Sequence, residues 1–184
     1  MTNSTDNTIL ELYQNPGTQN QALKLLIDTY QKKLYWQIRR IVINHDDADD
    51  ALQNTFIKAW QGLKNFNKQS ALFTWLYRIA TNEALDILRK KARENSIPYD
   101  QVSYFLSNSL TTDPYFKGDD IQKKFQQAIL TLPEKQRIVF NMRYFDEMPY
   151  EEMAKILDTS EGALKASYHH AVKKIEEYLL NHCE

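Results

Sequence analysis

Aromatic and cationic side chains interleave between residues 64 and 93. Phe66, Phe73, Trp75 and Tyr77 alternate with Lys64, Lys68, Arg78, Arg89, Lys90, Lys91 and Arg93. Such a mixture suits single-stranded nucleic acid, whose bases stack on ring faces while cations follow the phosphates. A base drawn from a duplex also needs a polar edge reader, and Asn82 is one such group. Trp75, Arg78, Asn82, Asp86 and Arg89 follow one another at steps of 3, 4, 4 and 3. On a helix these steps keep all five in one narrow sector. The competing reading is a core helix with a solvated charged face, and periodicity alone does not separate the two.

A second group lies near the carboxy terminus. The segment YEEMAKIL (150–157), the turn DTS and a long helix from about Ser160 to Leu180 make a helix-turn-helix pattern. The start of the second helix offers Ser160, Glu161, Lys165, Ala166, His169 and His170 to a major groove. An ordinary helical hairpin is the alternative.

Other chemistry is poorly provided for. Asp46, Asp47, Asp49 and Asp50 lack the spacing of a calcium loop and fit either a helix start, where the helix dipole favours anions, or a docking face for a basic partner. His169 and His170 are adjacent, so on a helix they diverge by about 100° and cannot easily share a metal. His182 and Cys183 sit at the tail and make no catalytic pair. No glycine-rich phosphate loop is present. No metal, no cofactor and no enzyme activity are therefore expected.

The elements that position these residues read as all-helical. Only 4 Gly and 5 Pro interrupt 184 residues that are 42% hydrophobic and 26% charged, the balance of a globular chain. The first twenty residues look polar and frayed, with at most a short helix near Ile9–Tyr13. Helices are predicted over 21–43, 46–63 and 72–93, the second with Ala48, Leu52, Phe56, Ala59 and Leu63 on one face. Residues 94–120 carry no steady period and read as a linker, with room for local structure around Tyr104–Leu106. Helices resume at Ile121–Leu130, after Pro133, at 150–157 and after Ser160, the last with Leu164, Tyr168, Ala171, Ile175 and Tyr178 as its buried seam.

Charge follows this division. The net charge of -1 hides a basic first half, with 13 Lys/Arg against 9 Asp/Glu in 1–93, and an acidic second half, 10 against 15 in 94–184. Screening limits each charge to about 10 Å, so the local stripe matters more than the total. One cysteine excludes an internal disulfide. The opening MTNSTDNTIL lacks the basic-then-apolar order of a secretory signal, and no segment approaches the roughly 18 apolar residues of a membrane span. A soluble, cytoplasmic protein without membrane insertion is expected.

Two long motifs carry a family resemblance. DDADDALQNTFIKAWQGLKNF with TWLYRIATNEALDILRKKAR resembles region two of extracytoplasmic-function sigma factors, and LPEKQRIVFNMRYFDEMPYEEMAKILDTSEGALKASYHHAVKKI resembles their region four. Everything except the first twenty residues and the linker is covered. The resemblance implies two small helical bundles: a region 2 domain over 1–93, an acidic linker over 94–120, and a region 4 helix-turn-helix domain over 121–184. It implies a subunit that binds core RNA polymerase, recognises promoter DNA and helps to melt it.

Matching positions imply the roles. Asp50, Gln53, Asn54, Phe56 and Ile57 would dock on the beta-prime clamp helices, with Trp60 packing. The loop Phe66 to Ala71, with Phe66, Asn67 and Lys68 foremost, would capture a flipped base of the minus-ten element. Trp75, Arg78, Asn82 and Asp86 would read and separate the strands there. Ser160, Lys165, Ala166, His169 and His170 would read the minus-thirty-five element. The beta flap and an anti-sigma factor are further partners implied by family. Many members carry a basic residue where Ser167 stands and an arginine where His170 stands. Two rivals explain less. A stand-alone helix-turn-helix regulator would need a dimerisation helix, which is not evident, and a helical protein–protein adaptor leaves the aromatic-basic loop without a purpose.

Overall fold

The computed structural model describes residues 4–67, 70–96, 102, 106–107, 110 and 119–182. Among them eight α-helices and two short 3-10 turns occur, and no strand. The first half comprises α1 (Ser4–Gln14), α2 (Gln19–Val42), α3 (His45–Gly62) and α4 (Leu72–Glu94). The second comprises α5 (Asp120–Leu130), α6 (Glu134–Tyr144), α7 (Tyr150–Leu157) and α8 (Glu161–His182).

Helices α2, α3 and α4 pack against one another around Leu26, Leu34, Ile38, Ala51, Ala59, Leu72 and Leu76, all fully buried. The caps follow local chemistry. The Asn44 side chain accepts from the Asp47 amide at 3.0 Å and starts α3, leaving Asp46 and Asp47 in the first turn beside the positive end of the dipole. Glycine 62 ends α3 under the Trp75 ring, where a Cβ would lie 3.1 Å from the indole. A side chain there would displace the tryptophan.

The amino-terminal segment differs from the frayed start that the sequence predicts. Ile9 is fully buried and Leu10 nearly so. The Tyr30 hydroxyl donates to the Asp6 carboxylate, and burial together with that carboxylate pushes the phenol pKa up. Too few apolar residues stand in this segment to display a period, yet tertiary packing suffices to hold a short helix.

The linker also contributes to the core. Val102, Leu106 and Leu110 are helical and buried, at steps of four. The predicted absence of period is corrected here: an i, i+4, i+8 stripe is present, but surrounding Ser, Asn and Tyr obscure it.

The helix-turn-helix forms as predicted. Helix α7 ends at Asp158, whose backbone is left-handed (φ 49°, ψ 50°). Aspartate tolerates that region better than β-branched residues do. Asp158→Val is expected to lower stability by about 1–2 kcal/mol, and Asp158→Gly to be tolerated; thermal melts of the two variants check this. Ser160 caps α8, its hydroxyl accepting from the Ala163 amide at 3.3 Å. A second apolar cluster of Ala128, Ile129, Leu132, Phe140, Ala171 and Ile175 joins α5, α6 and α8.

The two halves share buried surface. Helix α7 packs on α4, and α6 touches α2. The main apolar cluster runs from Leu72 and Leu76 through Ile138 and Met142 to Met153 and Leu164.

Candidate functional site

Three exposed faces hold the residues singled out by sequence. The first is the outer face of α4. Its inner face is buried, including Thr74, Leu76, Tyr77, Ala80, Thr81, Glu83, Ala84 and Leu85. Arg78, Asn82 and Asp86 stay exposed, one helical turn apart. Arg78 makes no ion pair among the described residues, while Asp86 accepts from Arg89 at 3.0 Å. Trp75 is half-buried and lies against Phe66, ring centroids 5.2 Å apart. Its ring thus supports the loop and presents less surface than the bare spacing suggested. Phe66 is half-buried and Asn67 exposed at the loop start. Lys68 lies outside the described residues.

The basic stripe is partly committed to structure. Lys91 is 2.5 Å from the largely buried Asp47, an ion pair that fastens the end of α4 to the start of α3. Lys90 lies 3.8 Å from Glu94. Lys58 lies 2.5 Å from the buried Glu83, and this hydrogen bond raises its pKa. Lys64, Arg78 and Arg93 are exposed without an ion pair among the described residues. The sequence showed seven cations; packing leaves fewer of them free for an anionic ligand.

The second face belongs to α3. Asp50, Gln53 and Asn54 are exposed, and Ile57 is 54% exposed, unusual for an isoleucine. Phe56 differs from expectation. It is 8% exposed and belongs to the core, because it lies on the same stripe as Ala48, Ala59 and Leu63. It forms the floor of a groove of about 470 Å³ whose walls are Ile57 and Gln53 on α3 and Leu23, Ile27 and Gln31 on α2. The α2 wall was missed by sequence reasoning. Its signal was available: Leu23, Ile27 and Gln31 follow at steps of four, rotated from the buried Ala22, Leu26 and Tyr30. Trp60 packs as expected, edge-on to Tyr13 at 4.8 Å.

The third face is the start of α8. Lys165, Ala166, His169 and His170 are all exposed there, and Ser160 is exposed while capping the helix. The buried Leu164, Ala171 and Ile175 fix the opposite side, so the helix cannot rotate without losing its seam. Lys165 lies 5.6 Å from the Tyr150 ring centroid and 3.5 Å from Glu161. Tyr150, the first residue of the motif's first helix, therefore braces the Lys165 cation, and Arg143 at the end of α6 lies 5.3 Å over the same ring. Glu151 and Lys155 pair on the outer side of α7, lowering the carboxyl pKa.

No group of three or more potential metal ligands occurs among the described residues. None of the described helices is long and apolar enough to cross a membrane.

Comparison with known proteins places these faces in a family context. The Sigma-70 region 2 model matches residues 26–94, and the Sigma-70, region 4 model matches residues 122–175. The RNA polymerase sigma-H factor of Pseudomonas aeruginosa is 29% identical, over 97% of this chain and 96% of its own length. The ECF RNA polymerase sigma-E factor of Escherichia coli is 30% identical, over 94% of this chain and 93% of its own. Among solved structures, the sigma factor RpoE in complex with the anti-sigma factor NepR from Bartonella quintana has a similar fold. Its TM-score is 0.65 at 24% identity, covering 85% of this chain and 95% of that one.

Proposed function

Since the chain belongs to the sigma-70 family, as a sigma factor of the extracytoplasmic-function (ECF) type acting in transcription initiation, we propose how its three faces divide the work. The α3 groove takes the clamp helices of core RNA polymerase. The outer face of α4, with the loop before it, reads and opens the minus-ten element. The start of α8 enters the major groove of the minus-thirty-five element. The beta flap meets the region 4 half. The functional units are 1–93 and 121–184, joined by the linker 94–120.

One observation carries this reading most directly. Arg78, Asn82 and Asp86 remain exposed on a stretch of helix, Leu72 to Leu88, whose other residues are buried or half-buried. A polar row on a rigid helix suits base-edge contact, and Phe66 beside Trp75 suits stacking. The protein makes no covalent change in this account. Opening the duplex is driven by binding of unstacked bases, at about 1–3 kcal/mol per base. Phosphate contacts add affinity that falls with salt. The exposed His169 and His170 act as donors or acceptors without needing a fixed charge. The protein is not an enzyme, works in the cytoplasm, and takes an anti-sigma factor as a partner.

Paired variants test the α4 assignment. Arg78→Ala is expected to weaken promoter opening on all sequences and to reduce the salt slope by about 1. Asn82→Ala is expected to relax preference at one base position, at about 1–3 kcal/mol. Permanganate footprints on a panel of single-base promoter variants read both effects. Unchanged footprints with either variant would remove α4 from the reading.

A further inference from the structure

Helix α2 carries a surface that none of the three faces uses. Lys32, Lys33, Trp36 and Arg40 follow one another at steps of 1, 3 and 4, so they share one side of the helix. Trp36 is 52% exposed. Lys32 and Lys33 are exposed and make no ion pair among the described residues. A lone exposed ring needs no explanation, but this one borders a cleft of about 660 Å³. That size lies within the range of small-molecule sites, about 300–1,000 Å³.

Three elements wall the cleft. Helix α2 is the first, and α4 adds the rings of Phe73 and Tyr77. The turn between α6 and α7 adds Phe145 and Asp146. Among the described lining residues Asp146 is the one acid, and its charge is already met. One carboxylate oxygen accepts from the Arg40 guanidinium, the other from the Tyr77 hydroxyl at 2.6 Å. The two lysines remain uncompensated. Lys33 Nζ is held 5.7 Å from the Phe73 ring centroid. Arg40 lies 5.0 Å over the Phe145 ring, and its Nε is shielded from solvent with no hydrogen-bond acceptor. A buried donor left without a partner is uncommon in a folded protein.

We propose that this cleft binds a nucleoside diphosphate or triphosphate, its base against the Trp36 ring and its phosphates at Lys32 and Lys33. An aromatic face accepts any base by stacking, and two uncompensated ammonium groups take the charge of the phosphates. A sugar or phosphate oxygen entering beside Arg40 supplies the acceptor that its Nε lacks. An acidic peptide fits less well, because a carboxylate brings charge but no ring to set against Trp36. None of the cleft residues belongs to the rows that face promoter DNA or the polymerase, so the proposal stands apart from that reading.

Titration calorimetry and tryptophan fluorescence on the full chain test it. The probes are ATP, GTP, their diphosphates, inorganic triphosphate and a short single-stranded DNA. One-to-one binding of the nucleotides is expected, with quenched emission and an affinity that falls with salt. Trp36→Ala is expected to lower that affinity by about tenfold or more. The pair Lys32→Ala, Lys33→Ala is expected to lower it by a similar factor and to flatten the salt dependence. Trp36→Phe is expected to keep most of the calorimetric affinity while removing the quenching, which assigns the signal to this ring and not to Trp60 or Trp75. These side chains are exposed, so the variants are expected to melt with the wild type.

Neither heat nor quenching from folded wild type at millimolar nucleotide would overturn the proposal. So would variants that bind as tightly as the wild type. An equal affinity for inorganic triphosphate would reduce the site to two lysines and overturn it as well. Single-stranded DNA that binds through Trp36 while free nucleotides do not would place the same chemistry on a strand, and the free-nucleotide site would fall.

Discussion

The double variant Gln53→Ala, Ile57→Glu is expected to lose core polymerase by at least about a hundredfold while melting at the wild-type temperature. Both side chains are exposed on α3, so neither contributes to the core. Ile57 forms the lip of the α2–α3 groove. A large apolar side chain left 54% exposed on a folded domain marks a contact surface more often than an accident of packing when it borders a groove. Placing a carboxylate there forces a charge to be desolvated on docking, and no cation of the groove lining is present to pair with it. Pull-down or interferometry with purified core reads the loss, and circular dichroism reads the melt. Retained binding with an intact fold would move the docking surface away from α3.

Phe56→Ala is expected to act through a different route. The ring is 8% exposed within the main cluster, and its deletion leaves a cavity. Such truncations cost about 3–5 kcal/mol. For a chain of this size the melting temperature falls by roughly 6–20 °C. Binding to core would fall too, but in proportion to the unfolded fraction and the lost groove floor. A calorimetric melt within about 2 °C of wild type would show that the ring is not a core element. The two variants together separate docking from folding, which sequence spacing could not do, since 53, 56 and 57 all lie on adjoining faces of one helix.

Much of the architecture was legible because helical period and breakers agree. The seam of α8 and the apolar face of α3 lie where the spacing put them. The turn at Asp158 and the cap at Ser160 likewise follow from residue type. Less legible was whatever depends on contacts distant in sequence. Ile9 and Leu10 are too few to announce a helix, and only docking on α2 gives them a partner. Val102, Leu106 and Leu110 sit within polar surroundings, and their period emerges once they are seen buried. Lys91 read as a free cation until its pairing with Asp47, 44 positions away, became visible. Asp146 gave no sign in sequence of its role across the two halves, because its partners are 106 and 69 positions distant. The exposed rows on α4 and α8 were legible as positions, since a narrow sector on a helix is fixed by spacing alone. Their degree of exposure was not, as Trp75 illustrates by turning toward Phe66.

The central claim is that this chain confers promoter-specific initiation on core polymerase. The most direct measurement is run-off transcription with purified bacterial core, preferably from the source organism, on a library of promoter fragments, with and without the protein. The account predicts discrete transcripts from defined start sites that require the wild-type chain and vanish with Gln53→Ala, Ile57→Glu. A folded wild-type chain that neither co-elutes with core nor yields any dependent transcript would contradict it.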